Sequence, residues 1–335
     1  MSKVLVTGGA GFIGSHLVDH LIEQRGDEVV VLDDLSGGFR DNVNPRAEFV
    51  EGSIVDHKLV DRLFADHAFS TVYHLAAYAA EGLSHFIKRF NHTNNLIGSI
   101  NLINAAVNTS VNCFVFTSSI AVYGAGQVPL TEDTLPQPED SYGIAKYAVE
   151  QELKVSQEMF GLDYVIFRPH NVYGPRQNLG DRYRNVVGIF MNRLMQKEAL
   201  QVFGDGEQMR AFTCIDDVIP AMASAPEVPA ARNQVFNVGA DQPHTVKDLA
   251  QAVMHAMDKQ GTIEHVEARN EVKLAWSDHS RLKEAFGPQP QTPLSQGLST
   301  MAAWAKTHGI RSSQDFEHIE IKKNLPPSWR KATKD

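Results

Sequence analysis

A chain of 335 residues, 43% hydrophobic and 21% charged, is long enough for one large domain, or a large domain with a smaller companion, of ordinary globular composition. Its 31 basic and 40 acidic residues leave a net charge of −9, which argues against an extended basic face for nucleic acid or an anionic membrane. No apolar run approaches the roughly 20 residues needed to span a bilayer. The opening Met1-Ser2-Lys3-Val4-Leu5-Val6-Thr7 has no signal-peptide core, so a cytoplasmic protein is expected. Cys113 and Cys214 are far apart and read as reduced, small core residues, and the histidines lack ligand spacing, so no metal is expected.

Lys3–Thr7 reads as a short apolar strand, followed by Gly8-Gly9-Ala10-Gly11-Phe12-Ile13-Gly14 and an amphipathic helix to about Gln24. Glycines at 8, 11 and 14 let the chain turn tightly and bring backbone N–H groups against a pyrophosphate at the helix N-terminus. A second strand, Glu28–Leu32, leads into Asp33-Asp34. Asp33 is placed to accept hydrogen bonds from an adenosine ribose, and its charge repels a 2′-phosphate, so NAD is favoured over NADP.

The alternation continues, as a doubly wound parallel α/β sheet of Rossmann type requires. Ala47–Glu51 leads into Gly52-Ser53-Ile54, where an adenine ring can rest. Thr71–Leu75 ends in Ala76 and Ala77, small enough for a cofactor to lie against the backbone. A long helix is expected from about Leu83 to Asn108, carrying Asn94 and Asn95. Asn112–Thr117 is a buried strand ending in Ser118 and Ser119, and such strand ends are where open α/β sheets bind ligands.

Ser141-Tyr142-Gly143-Ile144-Ala145-Lys146 follows. On a helix, Tyr142 and Lys146 share a face. A free phenol, with a pKa of about 10, is a poor base at neutral pH. An ammonium about 4 Å away favours the phenolate by roughly 4 kcal/mol at an effective dielectric near 20, before desolvation opposes it. Spacing alone favours an ordinary surface helix; the glycine loop, Asp33 and Ser119 give the pair its chemical context.

With these motifs in order, the chain resembles the extended short-chain dehydrogenases/reductases, in the NAD-dependent sugar epimerase/dehydratase family. The resemblance rests on the Gly8/Gly11/Gly14 loop, Asp33, Leu75-Ala76-Ala77, Asn95, Thr117-Ser118-Ser119 before Val122-Tyr123-Gly124, and Tyr142-x-x-x-Lys146. It implies NAD as cofactor, held by Gly8, Gly11, Phe12, Ile13, Gly14, Asp33, Ser53, Ile54, Leu75, Ala76, Ala77, Asn95, Ser118, Tyr142, Lys146 and His170. It makes Tyr142 the acid/base, with Lys146 holding the nicotinamide ribose and lowering the phenol pKa. Ser119 would hydrogen-bond the reacting hydroxyl. Hexose dehydratases and uronate decarboxylases of this family carry an acid in the segment around Ser119. Ser118-Ser119-Ile120 carries none, which resembles the UDP-sugar 4-epimerases.

The same resemblance extends through Arg168-Pro169-His170-Asn171-Val172-Tyr173-Gly174-Pro175, and implies a smaller C-terminal α/β domain for a nucleotide sugar. There Asn171, Asn185, Val186, Gln201, Phe203, Arg210, Arg269 and Ala275 would meet substrate, with Phe203 stacking on uracil and Arg210 clamping the diphosphate. A guanidinium suits phosphate because it donates two parallel hydrogen bonds. A helix is expected to begin at 181–187, and others at Val246–Met257 and Pro293–Thr307. The expected division is a cofactor domain at 1–170, a substrate domain at 171–310 with some chain returning to the first, and an irregular tail at 311–335. A homodimer through the 83–108 and Tyr142 helices follows from the resemblance alone.

Four residues depart from the galactose epimerase pattern: Ser53, Ala79, His170 and Ala275. His170 reads either as a nicotinamide neighbour or as a structural histidine. Ala275 stands where a bulky tyrosine excludes N-acetyl sugars in some epimerases. The competing readings are another nucleotide-sugar epimerase or dehydratase and, from a different class, a catalytically idle NAD-binding regulatory protein. Retention of Tyr142, Lys146 and Ser119 speaks against the last.

Overall fold

Short apolar strands make the centre of the molecule: Lys3–Thr7 (β1), Glu28–Asp33 (β2), Glu48–Glu51 (β3), Thr71–His74 (β4), Cys113–Thr117 (β5) and Tyr164–Pro169 (β6), all mainly buried except β3, the more exposed edge strand. The computed structural model describes residues 2–181, 183–268, 272–310, 316, 319–326 and 329. With Gln234–Val238 these strands form one seven-stranded sheet in the order 234–238, β6, β5, β4, β1, β2, β3, every neighbouring pair parallel. Both faces are covered, as a parallel sheet of near-continuous apolar strands requires. The order reverses beside β1, so the carboxyl ends of β1 and β4 open a crevice between them.

The helix Phe12–Glu23 (α1) follows β1 directly, and the helix Ser141–Phe160 packs behind β5 and β6. Asp140 caps the latter by accepting from Tyr142 N and Gly143 N at 2.8 and 2.9 Å, and Gly161 ends it in the left-handed conformation.

The expected continuous helix from Leu83 to Asn108 is instead broken. Short helices at Glu81–Ser84 and Lys88–His92 lead into a π-helical turn, Thr93–Ile97, and a regular helix at Gly98–Asn108. The break follows from Asn95, whose side chain turns inward to bind the backbone of Tyr78. The helix expected from 181 begins only at Val186, because Asn185 (φ 52°) serves as its N-cap.

The second half builds small sheets around 200–203, 209–211, 243–245, 263–266 and 274–275. In the tail, Phe316 packs on Tyr78 and Phe90, and Trp329 packs edge-on against Phe86 and Tyr183. Among the described residues, no helix is long and apolar enough to cross a membrane.

Candidate active site

The loop after β1 is shaped by what it cannot contain. Gly8 has φ +75°, and a Cβ there would lie 2.7 Å from the Ala76 nitrogen. At Gly14 a Cβ would lie 2.1 Å from the Gly8 carbonyl oxygen. The glycines therefore let α1 start directly against the ends of β1 and β4, with no side chain capping its first N–H groups. Asp33 ends β2 beside this loop, buried, accepting from Ala10 N at 2.9 Å and Leu35 N at 2.8 Å. Burial pushes its carboxyl upward, and these two backbone donors oppose the shift.

A cavity of about 610 Å³ runs from this loop across the strand ends into the second half of the chain. Gly8, Gly11, Phe12, Ile13, Gly14, Asp33, Ile54 and Leu75–Ala77 line one end. Ser118, Ser119, Tyr142, Lys146 and His170 line its middle, and Asn171, Asn185, Val186, Gln201, Phe203, Arg210 and Ala275 line the other end. Arg269 lies outside the described residues.

Two expected cofactor residues do not line it. Ser53 turns its hydroxyl to the Val55 N–H at 3.3 Å. Asn95 accepts from Tyr78 N at 2.7 Å and donates to Tyr78 O and to Asn91 Oδ1, so its amide is spent on positioning the 78 segment. Ser118 reaches the cavity, but its hydroxyl donates to Glu150 Oε1 at 2.5 Å. Asn185 caps its helix by accepting from Val187 N at 3.2 Å and donates to Val172 O. The Arg210 guanidinium donates to the Lys273 and Val272 carbonyls. Asn171 donates to Ala211 O at 3.1 Å.

At the centre, Ser119 caps the short turn Ile120–Val122 by accepting from Ala121 N at 3.1 Å, and its side chain lies close enough to the Tyr142 phenol to favour the phenolate. Burial raises that phenol above its ordinary range, and Ser119 opposes the shift. The sequence led us to expect Lys146 to lower the phenol. In the structure its Nζ donates to Thr117 O at 2.8 Å, lies 4.7 Å above the Phe116 ring and is 5.8 Å from the Tyr142 ring centroid. Burial pushes Lys146 down to about 7, while Glu150 opposes that shift. The ammonium is thus less securely charged than a surface lysine.

Glu150 is a buried residue behind the site that the sequence reading missed. It sits one turn beyond Lys146 on the same helix face, a continuation visible in the spacing 142, 146, 150. Its carboxylate is fully buried between Ser118 and Arg168, whose Nε and Nη2 donate at 2.9 and 2.5 Å. Tyr78, Glu81, Arg184 and Trp329 also line the cavity, and neither motif nor spacing marks them.

His170 is wholly buried and stacks on His279, ring centroids 5.3 Å apart. Burial pushes it down to about 3.

Comparisons with known proteins agree with this layout. The profile of the NAD dependent epimerase/dehydratase family matches residues 4–239. UDP-glucose 4-epimerase from Thermotoga maritima, solved with UDP-glucose, is 35% identical and superposes with a TM-score of 0.86, covering 91% of this chain and 99% of that one. UDP-N-acetylglucosamine 4-epimerase from Methanobrevibacter ruminantium is 29% identical, with a TM-score of 0.86 over 92% of this chain and 99% of that one. UDP-glucuronic acid 4-epimerase from Bacillus cereus, solved with UDP-glucuronic acid and NAD, is also 29% identical, with a TM-score of 0.85 over 92% and 100%.

Proposed function

The chain belongs to the NAD dependent epimerase/dehydratase family, and from that premise we propose that it interconverts a UDP-sugar and its 4-epimer through a transient 4-keto sugar. The observation that carries this reading is that Tyr142 and Ser119 line one cavity, with Ile120, which cannot move a proton, next in the chain.

Bound NAD supplies the acceptor and donor of hydride at the sugar carbon. The cavity fits it: the glycine loop brings the uncapped start of α1 to its lining, and Asp33 offers a carboxylate to ribose hydroxyls while repelling a 2′-phosphate. Lys146 takes the nicotinamide ribose. Tyr142, aided by Ser119, removes the proton of the sugar 4-hydroxyl and returns it after the ketone has turned over. Because burial holds the phenol above its ordinary range, proton removal depends on positive charge near it, and Lys146 is the nearest cation on its helix face. Arg210 and Asn171 hold the diphosphate, and Phe203 lies against the uracil.

Ala275 is small, half-buried and paired in register with Arg210 on the cavity wall. It leaves room for a bulkier sugar, whether an N-acetyl group at C2 or a carboxylate at C6, so N-acetylhexosamine and uronic acid forms belong among the proposed substrates beside glucose and galactose. A dehydratase is the second reading, because Glu81 lines the cavity close enough for its charge to act on Tyr142. Incubation with a panel of UDP-sugars and NMR of the products separates the two. A pure 4-epimer is expected, and a 4-keto-6-deoxy sugar would overturn the reading.

We also propose a homodimer. Ile97 is 47% exposed, and Ile144, Val155 and Met159 form an exposed apolar stripe along the Ser141–Phe160 helix. Sedimentation of wild type and Val155→Glu tests this: a dimer that the variant converts to monomer is expected, and a monomeric wild type would refute it.

A further inference from the structure

Behind the cavity, His170 begins a line of polar groups that reaches solvent. His170 Nδ1 faces Ala211 O at 3.2 Å, and its Nε2 faces His279 Nε2 at 3.1 Å. His279 Nδ1 lies 2.7 Å from Asp241 Oδ1, and Lys283 Nζ holds Asp241 Oδ2 at 2.8 Å. Asp241 is half-exposed, whereas both imidazoles are buried. The ring of His170 is seated on Gly239, where a Cβ would lie 2.1 Å from its Nε2.

A proton count shows what this line requires. A carbonyl and a carboxylate only accept, so His170 Nδ1 and His279 Nδ1 must each carry a hydrogen. The two Nε2 atoms then face each other and need a third proton between them. Two neutral imidazoles supply only two. Ser277 Oγ, 3.2 Å from His279 Nε2, can donate to that atom when the third proton is gone, but nothing then fills the gap to His170.

We propose that His170 and His279 share one exchangeable proton, and that its charge, lodged at the cavity wall, biases the bound nicotinamide toward its reduced form. This rests on the function proposed above, with the nicotinamide in the stretch of the cavity that Lys146 and His170 both line. An oxidised nicotinamide is a cation and the reduced ring is neutral, so a protonated pair weakens only the oxidised form. His279 and Asp241 are positioning residues here; they act through His170. The charged groups facing the pair are Asp241, Lys283 and Asp278, and burial lowers both rings while Asp241 raises His279. The proton is therefore gained on the acidic side of the ordinary imidazole range.

The test is the ratio of dissociation constants for NAD⁺ and NADH on the full-length protein, measured by calorimetry between about pH 5 and 8. In wild type the ratio is expected to rise about tenfold as the pH falls. His279→Gln should remove that rise, and Asp241→Asn, at a half-exposed position, should move it to lower pH. Lys146 is retained in all three proteins, so the difference between profiles isolates the pair. If His279→Gln fails to fold, the Asp241→Asn profile decides. Profiles that superimpose would overturn the proposal. No UDP-sugar enters the measurement, so a failure to epimerise would overturn the proposed reaction without altering this outcome.

Discussion

Lys146 Nζ donates to the main-chain carbonyl of Thr117 at 2.8 Å, with the lysine side chain almost wholly buried. The lysine that should charge the site is thus held by a neutral oxygen, and burial lowers it to about 7. Between that value and the unfolded value of about 10.4, the unfolded chain carries a proton that the native protein lacks. This group's contribution to stability therefore rises with pH across that window, and its full cost is felt below it. Lys146→Met should accordingly be most stable relative to wild type at or below pH 7, with the advantage shrinking toward pH 10. Paired thermal melts of cofactor-free protein measure it; a difference in Tm that ignores pH would contradict the argument.

Tyr142→Phe keeps the ring in its buried place and removes only the hydroxyl near Ser119. Turnover should fall by roughly two to four orders of magnitude. NAD should remain bound, because the glycine cradle and Asp33 are untouched. Initial rates and the cofactor content of the purified protein provide the check, and near-normal rates would remove Tyr142 from the chemistry.

These two residues, with the glycine cradle and Asp33, were legible in the sequence because each demand is local. Only glycine allows the approach of 8 to 76 and of 14 to 8, and a helix fixes which residues share the face of 142. The polar residues were read less well. Asn95 and Ser53 were expected to meet the cofactor, yet neither lines the cavity and each side chain bonds its own protein. An amide or hydroxyl binds whatever tertiary structure brings nearest, and short-range pattern carries little of that. Trp329 reaches the cavity from nearly 190 residues beyond Tyr142.

Glu150 shows the same limit and gives a stability test. Its partners Arg168 and Ser118 come from β6 and the end of β5, and both members of the ion pair are buried. Removing one member strands a charge, which costs about 3–5 kcal/mol, whereas removing both avoids that penalty. Glu150→Ala should therefore destabilise the protein by about that amount in urea denaturation. Glu150→Leu combined with Arg168→Met should cost clearly less than the two single changes added together. Additive losses would mean that the pair is not coupled.

The wall at Ala275 decides how much sugar the cavity admits. Its methyl group lies on the strand pair that also carries Arg210, so a larger side chain there would intrude beside the proposed diphosphate clamp without touching Tyr142. Ala275→Tyr should lower kcat/KM for a UDP-N-acetylhexosamine by about tenfold or more relative to UDP-glucose, through a volume clash that the smaller 2-hydroxyl escapes. Turnover of UDP-glucose should change little, since the acid/base pair and the cradle are left as they were. Competition between the two substrates in one reaction, resolved by NMR, measures the ratio directly. Equal losses for both sugars would mean that Ala275 shapes the anchor for the nucleotide, and the selectivity would then have to come from other lining residues such as Tyr78, Glu81 or Trp329.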